Sequence, residues 1–228
     1  MLKLLIDTAT QALVIGVMED DKVLASLFDS SHRNHSERLI RKIDDVLQEA
    51  GKTIKDVDEF IVGSGPGSYT GVRIGVTVGK MFAYTLNKPL YESSTLALIA
   101  SSYMGEAKYL IPIIDARRQS VFATIYNCHD GILKQLIEEK RYSLQELIEI
   151  INDKELDEIL FVGLDTQVYQ SFFDEHTIPY HLNIKDKIDF KRLFTHSLIQ
   201  KVENVHAFVP HYRRLTQAEY ELKEKENE

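Results

Sequence analysis

The run Gly63-Ser64-Gly65-Pro66-Gly67-Ser68-Tyr69-Thr70-Gly71-Val72-Arg73-Ile74-Gly75 comes nearest in this sequence to phosphate-binding chemistry. Glycine lets backbone amides approach an anion closely, and a helix N-terminus favours negative charge. The spacing does not fit the two common versions. A P-loop needs Lys and then Ser or Thr after its last glycine, but Val72 and Arg73 follow Gly71. The dinucleotide pattern beginning at Gly65 has Thr70 where its third glycine belongs. A structural role is favoured over an anion role. Gly71, Gly75 and Gly79, followed by Ala83, share one stripe of a helix running from Gly71 to Leu86. Each interior glycine costs up to about 1 kcal/mol relative to alanine, so the stripe calls for close backbone approach.

Two acidic turns form the second candidate, Asp7-Thr8-Ala9-Thr10 and Asp115-Ala116-Arg117-Arg118. Guanidinium groups suit phosphate, so Asp7, Thr8, Asp115, Arg117 and Arg118 are candidate contacts for an anion or nucleotide across a cleft. A solvated basic tip is the plainer reading of Arg117 and Arg118. His32 and His35 precede a helix and read as cap or surface residues, and Asn34 with Glu37 has the spacing of a capping-box variant. Ser36, Ser68 and Ser120 have no sequence neighbour that makes them nucleophiles. Triads assemble from distant residues, so spacing alone leaves a Ser-His-Asp constellation open.

These groups must be positioned by elements that the hydrophobic pattern predicts. Leu2 to Asp7, Leu13 to Val17 and Val23 to Phe28 read as an antiparallel opening of three strands. Glu37 to Ala50 places Leu39, Ile40, Ile43, Val46, Leu47 and Ala50 on one helical face. Phe60 to Gly63 is a fourth strand, and Pro89 to Tyr91 leads into a short helix near Thr95. The glycine helix is apolar nearly all round, with Arg73 and Lys80 as its only charges. Such a helix is normally covered on nearly all sides, by its own sheet and by a helix of another protein.

The second half repeats the first. Leu4 to Val14 matches Pro112 to Phe122 at a fixed offset, with Asp and Gln in the same places. Leu39-Ile40-Arg41 falls on Leu147-Ile148-Glu149, and Val62-Gly63 recurs as Val162-Gly163. The expected fold is α/β, with two related lobes at residues 1–106 and 107–217 and a charged tail at 218–228. Phe190 to Val202 is the best remaining helix.

Composition is that of an ordinary soluble protein, 44% hydrophobic and 27% charged. A net charge of −8 disfavours autonomous nucleic-acid binding, which needs a basic surface. One cysteine, Cys128, excludes an intramolecular disulfide. With no signal peptide or membrane-spanning run, a cytoplasmic location is expected.

Two lobes that each open with an Asp at a hairpin resemble the duplicated ribonuclease-H-like architecture of actin, Hsp70 chaperones and sugar kinases. In that resemblance the hairpin turns carry glycine for the nucleotide phosphates; here neither does, and the adenosine position offers only Gly163-Leu164-Asp165. Asp7-Thr8-Ala9-Thr10, His35-Ser36-Glu37-Arg38-Leu39, the glycine signature and Asp115-Ala116-Arg117-Arg118 together are similar to the TsaB family, formerly YeaZ. The resemblance is strongest over residues 1 to about 126, with Pro210-His211-Tyr212-Arg213-Arg214 also familiar. It implies a non-catalytic subunit of the machinery that makes threonylcarbamoyladenosine in tRNA. Its partners would be a TsaD-like catalytic subunit and a TsaE-like ATPase, with homodimers in isolation and tRNA met only through the complex.

The first two helices are the implied pairing surface, with Glu37, Arg41, Gly71, Val72, Arg73, Gly75, Val76, Gly79, Lys80 and Ala83 as interface candidates. TsaD-like paralogues hold a metal with a His-x-x-x-His pair where this chain has Thr95 and Ile99. Neither is a metal donor of the needed kind, so no metal and no cofactor are expected. The alternative is an active enzyme of the same superfamily, a kinase or a glycoprotease-type peptidase.

Overall fold

A computed structural model describes residues 1–30, 35–128, 131–181, 189–196 and 198–210. His32, Arg33, Asn34, residues 211–214 and the tail at 218–228 lie outside these described residues. The chain begins with β1 (Leu2–Asp7) and β2 (Leu13–Glu19), an antiparallel hairpin extended by β3 (Lys22–Asp29). β4 (Glu59–Gly63) then lies parallel to β1, and β5 (Leu90–Ser93) parallel to β4. β1 is apolar at successive positions because both its faces are covered. Leu4 and Ile6 pack under α1 (His35–Glu49) and α2 (Tyr69–Leu86), whereas Leu5 points to the opposite face.

The second sheet repeats this plan. β6 (Tyr109–Asp115) pairs antiparallel with β7 (Ser120–Ala123) and parallel with β11 (Ile159–Val162). The short strands β8 (Tyr126–Asn127) and β9 (Lys134–Gln135) extend it on one side, and β10 (Lys140–Ser143) flanks β7 on the other. α4 (Leu144–Asp153) starts with a capping box in which Ser143 and Glu146 satisfy each other's backbone amides. The arrangement is α/β with two ribonuclease-H-like lobes.

The C-terminal region departs from the sequence pattern. Among the described residues of the stretch 190–202 only Phe190–His196 is helical; α5 (Gln170–Glu175) precedes it, making it α6, and Gln200–Lys201 forms β12 on the free edge of β5. The Val202 amide donates to the Leu90 carbonyl at 2.9 Å, and its side chain enters the first lobe's core. An extended chain at a sheet edge buries Val202 and satisfies its backbone together, which a longer helix would not. α6 also packs on the first sheet, with Leu193 and Phe194 against Leu5, Met18 and Ile61. Gly16 makes room for it, since a Cβ there would stand 2.9 Å from the Phe190 ring. Residues 190–208 therefore return to the sheet that opens the chain. Among the described residues no helix is long and apolar enough to cross a membrane.

Candidate functional site

Asp7 ends β1, where the hairpin leaves the sheet. Its Oδ1 accepts from the Ala9 amide at 2.7 Å and its Oδ2 from the Thr95 hydroxyl at 2.9 Å. Thr95 is the first residue of α3 (Thr95–Ser101). Burial pushes the Asp7 carboxyl up to about 6, against the downward pull of those two hydrogen bonds.

The glycine run covers this turn with its backbone. The Ser68 amide donates to the Ala9 carbonyl at 2.7 Å, and the Thr95 amide to the Gly65 carbonyl at 2.8 Å. A Cβ at Gly63 would fall 2.2 Å from Asp7 Oδ2, and one at Gly67 would fall 2.2 Å from the Ala9 carbonyl oxygen. These glycines admit the chain's own turn, a sufficient reason for their presence without a phosphate.

The helical stripe continues the same contact and corrects the expectation that it faces a partner. A Cβ at Gly71 would lie 2.2 Å from the Thr8 carbonyl oxygen, at Gly75 2.5 Å from Thr8 Oγ1, and at Gly79 2.2 Å from Val62 Cγ1. Thr8 Oγ1 donates to the Gly71 carbonyl at 2.6 Å. Gly71, Val72, Gly75, Val76, Gly79 and Ala83 are all buried against β1, β4 and their turns. The stripe lets α2 sink onto its own sheet, so these six do not form a surface. Lys80 is likewise committed within the chain, its ammonium donating to the carbonyls of His206 and Phe208.

Of the interface candidates, Glu37, Arg41 and Arg73 stand exposed, the last with its guanidinium 4.0 Å over the Tyr69 ring. The outward side of α2 presents Tyr69, Arg73, Thr77, Met81 and Tyr84, spaced as one helical face.

The second turn has its own geometry. Asp115 Oδ1 accepts from the Arg117 amide at 2.9 Å and lies 2.7 Å from the Tyr169 hydroxyl, while the Asp115 amide donates to Asp165 Oδ2 at 2.7 Å. Burial raises the Asp165 carboxyl above its usual range, the Asp115 charge adds to this, and the Asp115 amide and Arg117 oppose it. Arg117, Arg118 and Gln119 are left-handed in succession, with φ of 66°, 54° and 55°.

A cavity lies between the two lobes, lined by Asp7, Thr10 and Thr95 of the first and Asp165 of the second. The rest of its wall is apolar: Val14, Phe28, Leu98, Ile99, Ile113, Ile114, Leu164 and Leu193. Its volume of about 40 Å³ takes a few water molecules. Of the five sequence-derived anion candidates only Asp7 reaches it. Thr8 is turned to Gly71, Asp115 to Tyr169, and Arg117 and Arg118 sit exposed on the hairpin tip rather than on the cavity wall. Among the described residues the cavity presents two carboxylates and no cation, which repels rather than gathers phosphate. Thr95 and Ile99 both line it. Sequence reading did not foresee that Thr95 serves Asp7, since the two are 88 residues apart.

The duplicated hairpin, each copy beginning with an aspartate that closes its own turn, has relatives. A family model described as TsaD, tRNA N6-adenosine threonylcarbamoyltransferase, matches residues 22–223. The tRNA threonylcarbamoyladenosine biosynthesis protein TsaB of Bacillus subtilis (strain 168) is 30% identical over 224 residues, covering 95% of each chain. The chain belongs to the TsaB family. The protein of the same name from Escherichia coli (strain K12) is 34% identical over 125 residues, 54% of each chain. The crystal structure of an uncharacterized protein with similarity to peptidase YeaZ from Pseudomonas aeruginosa superposes with a TM-score of 0.71 at 25% identity, over 93% of this chain and 99% of that one.

Proposed function

We propose that the chain is a non-catalytic subunit in the biosynthesis of threonylcarbamoyladenosine in tRNA, binding a TsaD-like catalytic subunit and working with a TsaE-like ATPase. The TsaB-named relatives support the pathway. The outer face of α1 and α2 carries the binding role. Nine large hydrophobic residues are exposed among the described residues, and four of them, Ile40 at 49%, Tyr69 at 43%, Met81 at 47% and Tyr84 at 71%, lie on these two helices. An apolar patch rimmed by charge, here Glu37, Arg41 and Arg73, is the usual form of a protein-binding surface. The same face serves self-association when the partner is missing, so homodimer and heterodimer compete for it. Transfer of a group to RNA falls to the partner, because this chain's cavity joins two carboxylates to an apolar wall. With a net charge of −8, contact with tRNA comes through the assembled complex.

The test is the double substitution Thr77→Arg and Met81→Asp on the exposed side of α2. Both positions face away from the core, so melting is expected to change by less than about 0.5 kcal/mol. Affinity for a co-expressed TsaD-like subunit, measured by calorimetry, is expected to fall roughly thirtyfold or more, as for a central interface position. Unchanged affinity in a folded variant would remove α2 from the interface.

A further inference from the structure

We propose that the turn from Asn204 to Val209 belongs to the partner-binding surface, as a rim clipped to the end of α2 that walls in Tyr84. The inference rests on the reading of the α1 and α2 face given above and extends that face to the C-terminal segment. Its occupant is the same catalytic subunit.

Tyr84 is the most exposed large hydrophobic residue among the described residues, at 71%. An aromatic anchor of this kind contributes strongly to binding only where neighbouring contacts keep water from its edges. On α2 itself Met81 stands beside it, one helical turn earlier. Another side is bounded by a different part of the chain, where the His206 ring meets the Tyr84 ring edge-on with 6.5 Å between centroids.

The turn that carries His206 is held at every stage. Asn204 closes it, its side-chain oxygen accepting from the Ala207 amide at 3.0 Å and its carbonyl from the Phe208 amide at 3.0 Å. Val205 and Phe208 pack onto the first lobe's core, while His206, Ala207 and Val209 stay outward. Lys80 fastens the turn from the helix, its Nζ donating to the His206 carbonyl at 3.1 Å and to that of Phe208. Upstream, β12 and the Val202 amide hold the same segment to the edge of β5. Lys80 and Tyr84 are four residues apart, so the side chain that grips the turn and the one that the turn borders share a strip of α2. Val209, which follows the gripped Phe208 carbonyl, is 64% exposed and continues the apolar surface beyond Tyr84. The turn borders Tyr84 without covering it, so a partner seated on Met81 and Tyr84 meets the rim where it already stands. Docking of the turn and binding of the partner therefore favour each other.

The full-length chain with the co-expressed TsaD-like subunit tests this. Affinity is measured by calorimetry for Val209→Asp, for Lys80→Met, which releases the clip, and for Lys80→Arg, which keeps a donor there. Hydrogen exchange follows residues 200–208 in the free chain and in the complex, melting confirms folding, and sedimentation of the chain alone reads self-association. Val209→Asp and Lys80→Met are each expected to weaken the complex by about fivefold or more, with Lys80→Arg close to the original chain. Exchange across 200–208 is expected to slow roughly tenfold in the complex. If Thr77→Arg with Met81→Asp weakens binding but Val209→Asp or Lys80→Met leaves it unchanged, or the segment gains no protection, the rim is overturned and the α2 surface stands. If that α2 pair leaves binding unchanged, the surface itself falls and the rim with it. Loss of self-association alone in Val209→Asp would give the rim to a second copy of the chain and overturn the assignment to the catalytic subunit.

Discussion

A single methyl group on the inner stripe of α2 is expected to be poorly tolerated, and Gly71 tests this most directly. An ideal Cβ there falls 2.2 Å from the Thr8 carbonyl oxygen, more than an ångström inside the 3.4 Å at which ordinary contact begins. The obstacle is backbone, in a turn already held by the Asp7 carboxylate and the Ser68 amide, so nothing can swing aside. Relief requires the first turn of α2 to move off β1. That movement stretches the 2.6 Å hydrogen bond from Thr8 Oγ1 to the Gly71 carbonyl. Overpacking costs about 1–3 kcal/mol, and loss of the buried hydrogen bond adds about 1 kcal/mol. The better helix propensity of alanine offsets about 1 kcal/mol at most. Gly71→Ala is therefore expected to destabilise by about 2 kcal/mol, lowering Tm by roughly 4–8 °C for a chain of 228 residues. Circular dichroism melting checks it, with Thr77→Ala on the exposed side of the same helix as the control. A rise in Tm for Gly71→Ala, as propensity alone dictates, would refute the inward packing. So would an unchanged Tm combined with lost partner binding, which would return the stripe to the surface.

Asp7 has a folded-state pKa raised to about 6 by burial, so between about pH 4 and 6 the folded chain holds a proton that the unfolded chain releases. Its contribution to stability is therefore fully present at low pH and is lost as pH rises through 6. Asp7→Asn removes that dependence, and its stability relative to the original chain is expected to climb by about 1–3 kcal/mol from pH 4 to pH 7; a pH-independent difference in denaturant midpoints would contradict the burial argument. Lys80→Met removes the donor that holds the His206 and Phe208 carbonyls. Amide exchange is expected to accelerate across residues 200–208 with global melting altered by less than about 1 kcal/mol, and unchanged exchange there would show that the ammonium is not what fastens the segment. Tyr126→Phe deletes the 2.8 Å hydrogen bond to Glu139 and leaves a buried carboxylate short of a donor; a loss of about 1–3 kcal/mol in chemical denaturation is expected.

Much of the fold was legible because its central strands carry their burial in plain apolar runs. Leu4-Leu5-Ile6 and Ile111 to Ile114 announce strands covered on both faces, and the recurrence of Asp and Gln at one offset announces their duplication. The direction of the glycine stripe was not legible, because α2 is apolar on both sides. Periodicity identifies faces but does not rank them when Val72 and Val76 on one side compete with Met81 and Tyr84 on the other. The end of the chain misled for a related reason. Phe190, Leu193 and Phe194 fit a helical repeat that Val202 happens to continue, and only the free edge of β5 decides that the chain extends instead.

The two turns show what the duplication has kept. Asp7 accepts the amide of Ala9 and Asp115 that of Arg117, the same two-residue closure in both lobes. Each carboxylate also meets a hydroxyl from a later element, Thr95 in the first lobe and Tyr169 in the second. In the first lobe both carboxylate oxygens are thereby engaged. A carboxylate so engaged closes a turn and anchors the start of α3. The same argument extends to the glycines, whose missing side chains admit this turn. The conserved local geometry of the two hairpins is thus accounted for by folding alone.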